Sequence, residues 1–506
     1  MAHYYIGNEK MKKLFILFNI IMLCSCKENK TNLKTIDYVN VEIVTDIQGF
    51  YTDIEDKNLN LSDVLEDLFI LDYLLRINYA GYEDSLKDKY QFNTLIDRIT
   101  DYIKENNSIS QREFCEFLYN ELIPFMSDAH SGICYKDFYK TLCKHKCLYF
   151  SNTYVKKCDD FYEIIESQEK ELIGKKLRNI SNDYLFYYPS KGKNIFRVGC
   201  LSYGFVSTIS IEAVELSVYS VNDIVTKTPE FIFEETKENI YIKIPTFNLP
   251  PKNSIYRKTI EKGLEDFSKY PVLMNNSKNI VIDLRGNKGG LFSIIFNFIT
   301  DLYFENETII KRYLYKKEVL RNLTNNIEKL DSPNVDEAYK KAFDLFPEGV
   351  SKKEVKQNDK LYKEQMKSPY REWRKEKNKK GEGVNYKGSD KKIYLIIDKE
   401  TSSAGEFICC LAEYLFSKNN VTIIGENSFG AIMYADQFMY ALPNSKVIML
   451  LPCKKNSKLI KTMTTSFKGE GIGIYPEYWS TNEDLNETIY FITHDDEMKE
   501  ILKSVF

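Results

Sequence analysis

Residues 393–416, IYLIIDKETSSAGEFICCLAEYLF, constrain the fold of this chain more than any other stretch. The segment opens on a continuous isoleucine-rich apolar run, the pattern of a strand buried on both faces. It closes with Phe407, Cys410, Leu411 and Leu415 at helical spacing, and a short polar turn, Glu400 to Gly405, joins the two. A strand turning sharply into a helix leaves backbone N–H groups unpaired at the helix start, aimed at whatever lies in the turn. A serine there carries its hydroxyl out of the sheet beside a cradle for a developing oxyanion. Ser403 is the candidate nucleophile, with Ser402 and Ser428 as rivals. The competing reading is structural: Ser402 or Ser403 caps the helix, and Glu406 completes a capping box.

A second motif has the same layout. Asp283-Leu284-Arg285-Gly286-Asn287-Lys288-Gly289-Gly290 follows the apolar run NIVIDLR and precedes the helical pattern GGLFSIIFNFITDLYF. Paired glycines let the backbone approach closely and turn N–H groups toward an anion. No Gly-Lys-Ser/Thr follows and the dinucleotide-binding glycine spacing is missing, so a phosphate loop is disfavoured. Gly289 or Gly290 is read as one oxyanion donor and the N–H of Ala404 as the other.

A serine needs a base to take its proton, and the chain has only four histidines. His3 lies in a leader-like segment, His145 in a basic strand-like run, and His494 in an Asp-rich terminal region. His130 remains, in the loop Asp128-Ala129-His130-Ser131-Gly132. An imidazole base also needs a carboxylate to fix its tautomer. Glu470, beside a glycine-rich turn, is one candidate, but residue type alone does not single it out.

The N-terminus reads as a targeting segment. Met11-Lys12-Lys13 precedes LFILFNIIML, too short an apolar core for a stable span, and then Leu23-Cys24-Ser25-Cys26. That ending resembles a bacterial lipobox, which implies lipidation at Cys26, a membrane anchor and an extracytoplasmic location, periplasmic or cell-surface. A net charge of −3 gives no basic field for nucleic acid. Setting aside Cys24 and Cys26 leaves an odd number of the 11 cysteines, against a disulfide scaffold. Cys143, His145 and Cys147 lack zinc-knuckle spacing, and neither metal nor cofactor is expected.

Along the chain, residues 1–26 read as the signal and 27–60 as a tether. Residues 61–135 show apolar residues three and four apart, a helical domain in which Ser62 or Asp63 caps the first helix and Ser110 the third. Residues 147–235 break into short β-branched and aromatic runs, a small β-rich module. From Asn239 strands and helices alternate, implying βαβ units and a mostly parallel sheet through residue 480. A Lys/Glu/Asn-rich insertion at 316–392 interrupts it, read as a solvated helical excursion or lid. The C-terminal segment is 481–506, with a closing helix from Asp495.

IYIKIPTF, IVIDLRGNKGG, TSSAGE, Gly425-Glu426-Asn427-Ser428-Phe429-Gly430 and GIGIYPE, in that order, resemble the C-terminal-processing and tricorn-core serine proteases. The resemblance implies an α/β fold with a crotonase-like core, and cleavage of peptide bonds in a peptide or protein substrate. It implies further that the β-rich module is a PDZ-like insert, in keeping with Leu172 to Ile180. Processing proteases carry a lysine base after the Phe-Gly pair, where this chain has Ala431. Tricorn-type members use a histidine from an Asp-x-His loop and a glutamate before a Gly-Val/Ile-x-Pro turn. Asp128-Ala129-His130 and Glu470, three residues before Gly473-Ile474-Tyr475-Pro476, match them. The serine that can precede the tricorn-type histidine is Ala129 here. The resemblance thus implies a Ser403–His130–Glu470 site. The alternative function is a non-catalytic peptide- or ligand-binding lipoprotein that keeps the fold.

Overall fold

Strands Asn239–Lys243, Asn279–Asp283, Lys392–Ile397 and Val421–Gly425 lie side by side in parallel register, with Tyr478–Trp479 parallel at one edge and Ile232–Glu235 antiparallel at the other. Their unbroken apolar character follows from burial on both faces. Ile240, Ile242, Ile280, Ile282, Leu395 and Ile423 face a core that also holds residues of helices Arg257–Phe267, Phe292–Tyr303 and Ala404–Phe416. Alternate residues Tyr241, Val281, Tyr394, Ile396 and Ile424 face Leu485 and Ile489 of helix Leu485–Thr493. Each such aliphatic side chain, fully removed from water, contributes about 1.5–3 kcal/mol. The α/β alternation expected of this region is therefore present, and the fold is mixed helix and sheet.

The computed structural model describes residues 39, 41–87, 89–220, 229–236, 239–250, 254–274, 277–304, 307–324, 326–345, 372–375 and 390–494. The signal-like segment with Cys26 and the closing helix expected from Asp495 lie outside these, as does much of the 316–392 insertion. The chain divides into two units, each assembled from separated stretches. One comprises Met1–Cys143, Glu328–Lys375 and Tyr434–Lys455; the other comprises Lys144–Ile327, Glu376–Met433 and Asn456–Phe506.

In the first unit, helices Leu61–Asn78, Phe92–Asn106 and Gln111–Leu122 match the predicted helical pattern. Ser110 caps the third, accepting from the Glu113 N–H at 3.2 Å. The first is capped earlier than expected, by Asn60, with Asp63 closing the capping box. These helices share their core with Tyr440, Leu442, Val447, Met449 and Leu451. The run KVIMLLP belongs here: strand Ile448–Lys455 pairs antiparallel with Tyr434–Ala441 on one side and with Gly132–Tyr135 and Glu328–Asp331 on the other. Part of the expected tether is structured as well, with strand Glu42–Val44 paired to residues 439–441.

In the second unit, the β-rich stretch forms a six-stranded antiparallel sheet around Cys147–Lys157 and Ile195–Ser202, plus the hairpin Thr208–Ile211/Val214–Ser217. The insertion begins with packed structure: helix Ile309–Thr324 buries Val319 and Leu323 in the core of the parallel sheet.

Candidate active site

Three neighbouring parallel strands end at Asp283, Ile397 and Gly425, and the loops that leave them converge. The carboxyl edge of a parallel sheet is where such folds place their ligands. The first two loops are fastened by Asp398. Its buried carboxylate accepts the N–H of Gly286 at 3.0 Å, of Glu400 at 3.1 Å and of Thr401 at 3.0 Å. Asn287 adds its carbonyl, which accepts the Ser402 N–H at 3.0 Å, and its amide, which donates to the Ile244 carbonyl at 2.9 Å. Beneath them Asp283 and Arg285 form a buried ion pair at 2.6 Å, with the Tyr241 hydroxyl on the same carboxylate at 2.7 Å.

Ser403 sits at the start of helix Ala404–Phe416 with φ 53° and ψ −118°. Ser403 and Glu406 do form the expected capping box, but an ordinary N-cap residue has extended dihedrals, so capping alone does not account for this conformation. A serine forced to positive φ between a strand and a helix is the geometry that thrusts a hydroxyl out of a sheet. Gly289, at φ +90°, lies directly against it. A Cβ at Gly289 would stand 2.8 Å from both the Ala404 nitrogen and the Ser403 Cβ, so the missing side chain leaves space in front of the helix N-terminus. The Gly289 N–H donates to Asn287 Oδ1 at 2.8 Å. The N–H groups of Ala404 and Gly290 donate to no described residue. Of the two glycines predicted as the oxyanion donor, Gly290 has the uncommitted N–H.

Glu406 does more than complete a cap. Its fully buried carboxylate accepts four hydrogen bonds: from the N–H groups of Ser403 at 3.1 Å, Ala431 at 2.7 Å and Gly430 at 2.8 Å, and from the Ser428 hydroxyl at 2.5 Å. Burial pushes its pKa up to about 7, against the lowering effect of these donors. Ser428 also accepts the Ile474 N–H at 2.6 Å, and this buried rival serine is occupied in holding loops together. The composition of TSSAGE showed Glu406 only as the third residue of a capping box; its long-range partners had no signal in the sequence.

Glu470 lies on a loop bound to the one after Val421–Gly425, with Gly471 N–H donating to the Gly430 carbonyl at 2.9 Å. Its Oε1 accepts the N–H groups of Ile432 at 3.0 Å and Met433 at 2.5 Å. Ala431, where a processing protease would carry its lysine, is a buried alanine whose N–H is spent on Glu406.

His130 belongs to the first unit. Its N–H donates to Asp128 Oδ1 at 2.8 Å, and its carbonyl accepts from the Gln437 side chain. The Ser131 hydroxyl donates to Asp128 Oδ2 at 2.5 Å, so both Asp128 oxygens hold the loop that carries the imidazole. Burial raises Asp128 to about 6 and lowers His130 to about 4, with Asp436 opposing the second shift. His130 is therefore neutral at pH 7, the state a general base requires. A further imidazole, His145, is in the second unit, packed on the Phe429 ring with centroids 4.5 Å apart.

Residues 239–472 match the model of Peptidase family S41, and this segment is a serine-type peptidase domain. No curated protein matches the chain. Among solved structures, the chain is similar to mature CPAF complexed with lactacystin, at 14% identity over 87% of this chain and 98% of that one, with a TM-score of 0.39. It is similar also to the photosystem II D1 C-terminal processing protease, at 10% identity over 86% and 96%, TM-score 0.34. The tricorn protease is a third, at 11% identity over 87% of this chain and 37% of that one, TM-score 0.26.

Proposed function

We propose that this chain is a lipid-anchored, extracytoplasmic serine endopeptidase of the tricorn-like branch, with a crotonase-like core and a PDZ-like module. In this reading Ser403 Oγ attacks the scissile carbonyl while His130 takes its proton. The N–H groups of Ala404 and Gly290 stabilise the oxyanion, and His130 returns the proton to the leaving amine. Water repeats the sequence on the acyl-enzyme. Glu470 carries the negative charge that favours the imidazolium. A lysine base is disfavoured by Ala431. The anchor at Cys26 and the location beyond the cytoplasm follow from the N-terminal sequence alone.

The observation that carries the proposal is the positive-φ conformation of Ser403 beside Gly289, where an added Cβ would stand 2.8 Å from the Ser403 Cβ. A helix cap needs neither feature; a nucleophile with an oxyanion site beside it needs both. The test is labelling of the purified chain with a fluorophosphonate probe, alongside casein or peptide-library digestion. Wild type should be labelled at Ser403 and cleave; Ser403→Ala should remain folded, unlabelled and inactive. Cleavage by Ser403→Ala at the wild-type rate would refute the assignment, and a folded wild type that neither labels nor cleaves would favour the binding-protein reading.

A further inference from the structure

Helix Ile309–Thr324 is apolar on two opposite sides. Val319 and Leu323 are buried in the core of the parallel-sheet unit. Ile309, Ile310, Tyr313 and Leu314 are exposed by 78%, 74%, 65% and 55%, and Leu320 is exposed on the same side. At about 100° per residue these five positions fall within an arc of roughly 140°, facing away from the buried pair. Singly exposed aliphatics are commonplace on protein surfaces; a contiguous stripe along one helix marks an interaction face.

The charges along the helix select the partner. Lys311, Arg312, Lys316, Lys317 and Arg321 stand against one acidic residue, Glu318, in a chain whose net charge is −3. Glu318 is buried and paired with Arg321 at 2.9 Å. Lys316 turns back to Asp301 at 2.6 Å, and Lys311 lies 3.6 Å from Glu307 at the edge of the face. Lys317 and Arg321 fall inside the apolar arc at the helical repeat. Lysine is depleted from the cores of protein–protein interfaces, whereas interfacial helices interleave lysine and arginine with aliphatic and aromatic residues. Long basic side chains there reach sideways to headgroups while the aliphatics enter the acyl boundary. Among the described residues no helix is long and apolar enough to cross a membrane, so a contact of this kind lies on the bilayer.

We propose that the exposed face of helix Ile309–Thr324 docks on an anionic lipid bilayer surface, independently of any acyl chain at Cys26 and of the peptidase reaction. The test uses the full chain carrying Cys26→Ser, co-sedimented with vesicles of phosphatidylglycerol mixed with phosphatidylcholine, or of phosphatidylcholine alone. Binding is expected to the anionic vesicles only. Ile309→Asp/Ile310→Asp should weaken it by more than about tenfold. Lys311→Glu/Lys317→Glu should weaken it by at least about fivefold per residue at low salt. Circular dichroism and hydrolysis of a soluble peptide control for folding. Failure of the parent chain to bind anionic vesicles would overturn the proposal, as would binding that survives both double variants. A concentration-dependent dimer abolished by Ile309→Asp/Ile310→Asp, without vesicle binding, would reassign the face to self-association.

Discussion

Glu406 and Glu470 divide four consecutive backbone N–H groups between them: Gly430 and Ala431 donate to the first, Ile432 and Met433 to the second. One short loop is thereby held by two carboxylates from different parts of the chain. Their other partners differ. Glu406 also takes the Ser403 N–H and the buried Ser428 hydroxyl. It fixes the backbone of Ser403, the proposed nucleophile, and the function proposed above assigns the imidazolium's counter-charge to Glu470 instead.

That division predicts different outcomes for two isosteric substitutions. In Glu470→Gln the amide oxygen can still accept from Ile432 and Met433 while the negative charge is lost. Its kcat should fall about 100- to 10,000-fold with little change in melting temperature, as when a base loses its orienting carboxylate. In Glu406→Gln the new NH₂ faces N–H donors, so the melting temperature should fall together with kcat. Near-normal kcat in Glu470→Gln would remove that residue from the proposed site.

The two imidazoles supply a second contrast. His130 is kept neutral by burial on a loop fixed by Asp128, and His145 stacks on Phe429. If His130 is the base, His130→Ala should lower kcat/KM by at least about 1,000-fold. His145→Ala should stay within about tenfold of wild type. The reverse pattern in peptide hydrolysis would transfer the role to His145.

How far these features could be read beforehand depended on range. The strand, turn and helix around Ser403 are local, and periodicity with a polar break was enough to place them. The Ser110 cap was legible for the same reason. The carboxylate hub at Glu406 was not: it depends on Ser428, Gly430 and Ala431, more than twenty residues away, and a capping box has the same local sequence. Strand Ile448–Lys455 shows the same limit at the level of the fold. Its apolar run could be recognised as a strand, but nothing within it says that it leaves the parallel sheet to pair with Gly132–Tyr135. The three strand-end loops could be predicted separately; the Asp398 and Asn287 bonds that tie two of them together could not.

The glycines of the first loop allow crowding to be separated from backbone strain. Gly286 and Gly289 both have positive φ, 75° and 90°, but a Cβ at Gly286 meets nothing within 4 Å. Gly286→Ala should cost about 1–3 kcal/mol of stability from strain alone and leave turnover within a few-fold. Gly289→Ala carries similar strain and also fills the space before the Ala404 N–H. Its kcat should fall about 100- to 1,000-fold, the usual effect of losing an oxyanion donor. Equal losses of activity in the two folded variants would count against an oxyanion site there.

Glu406 also makes stability depend on pH in a direction that can be worked out. Its folded value of about 7 lies above the roughly 4.3 of a free glutamate. Between those values the folded chain binds a proton that the unfolded chain has released. The stability contributed by this group is thus fully present below about pH 4.3 and is lost as pH rises through 7. Asp128, raised to about 6, acts in the same direction; His130, lowered to about 4, acts in the opposite one. Urea unfolding of wild type and Glu406→Gln from pH 5 to pH 8 isolates the glutamate, because the other two groups are common to both. The variant's loss of a hydrogen bond adds an offset that does not vary with pH. Wild type should lose stability relative to Glu406→Gln as the pH rises across that range. A difference that stays flat would mean that the four donors outweigh burial and keep Glu406 ionised throughout.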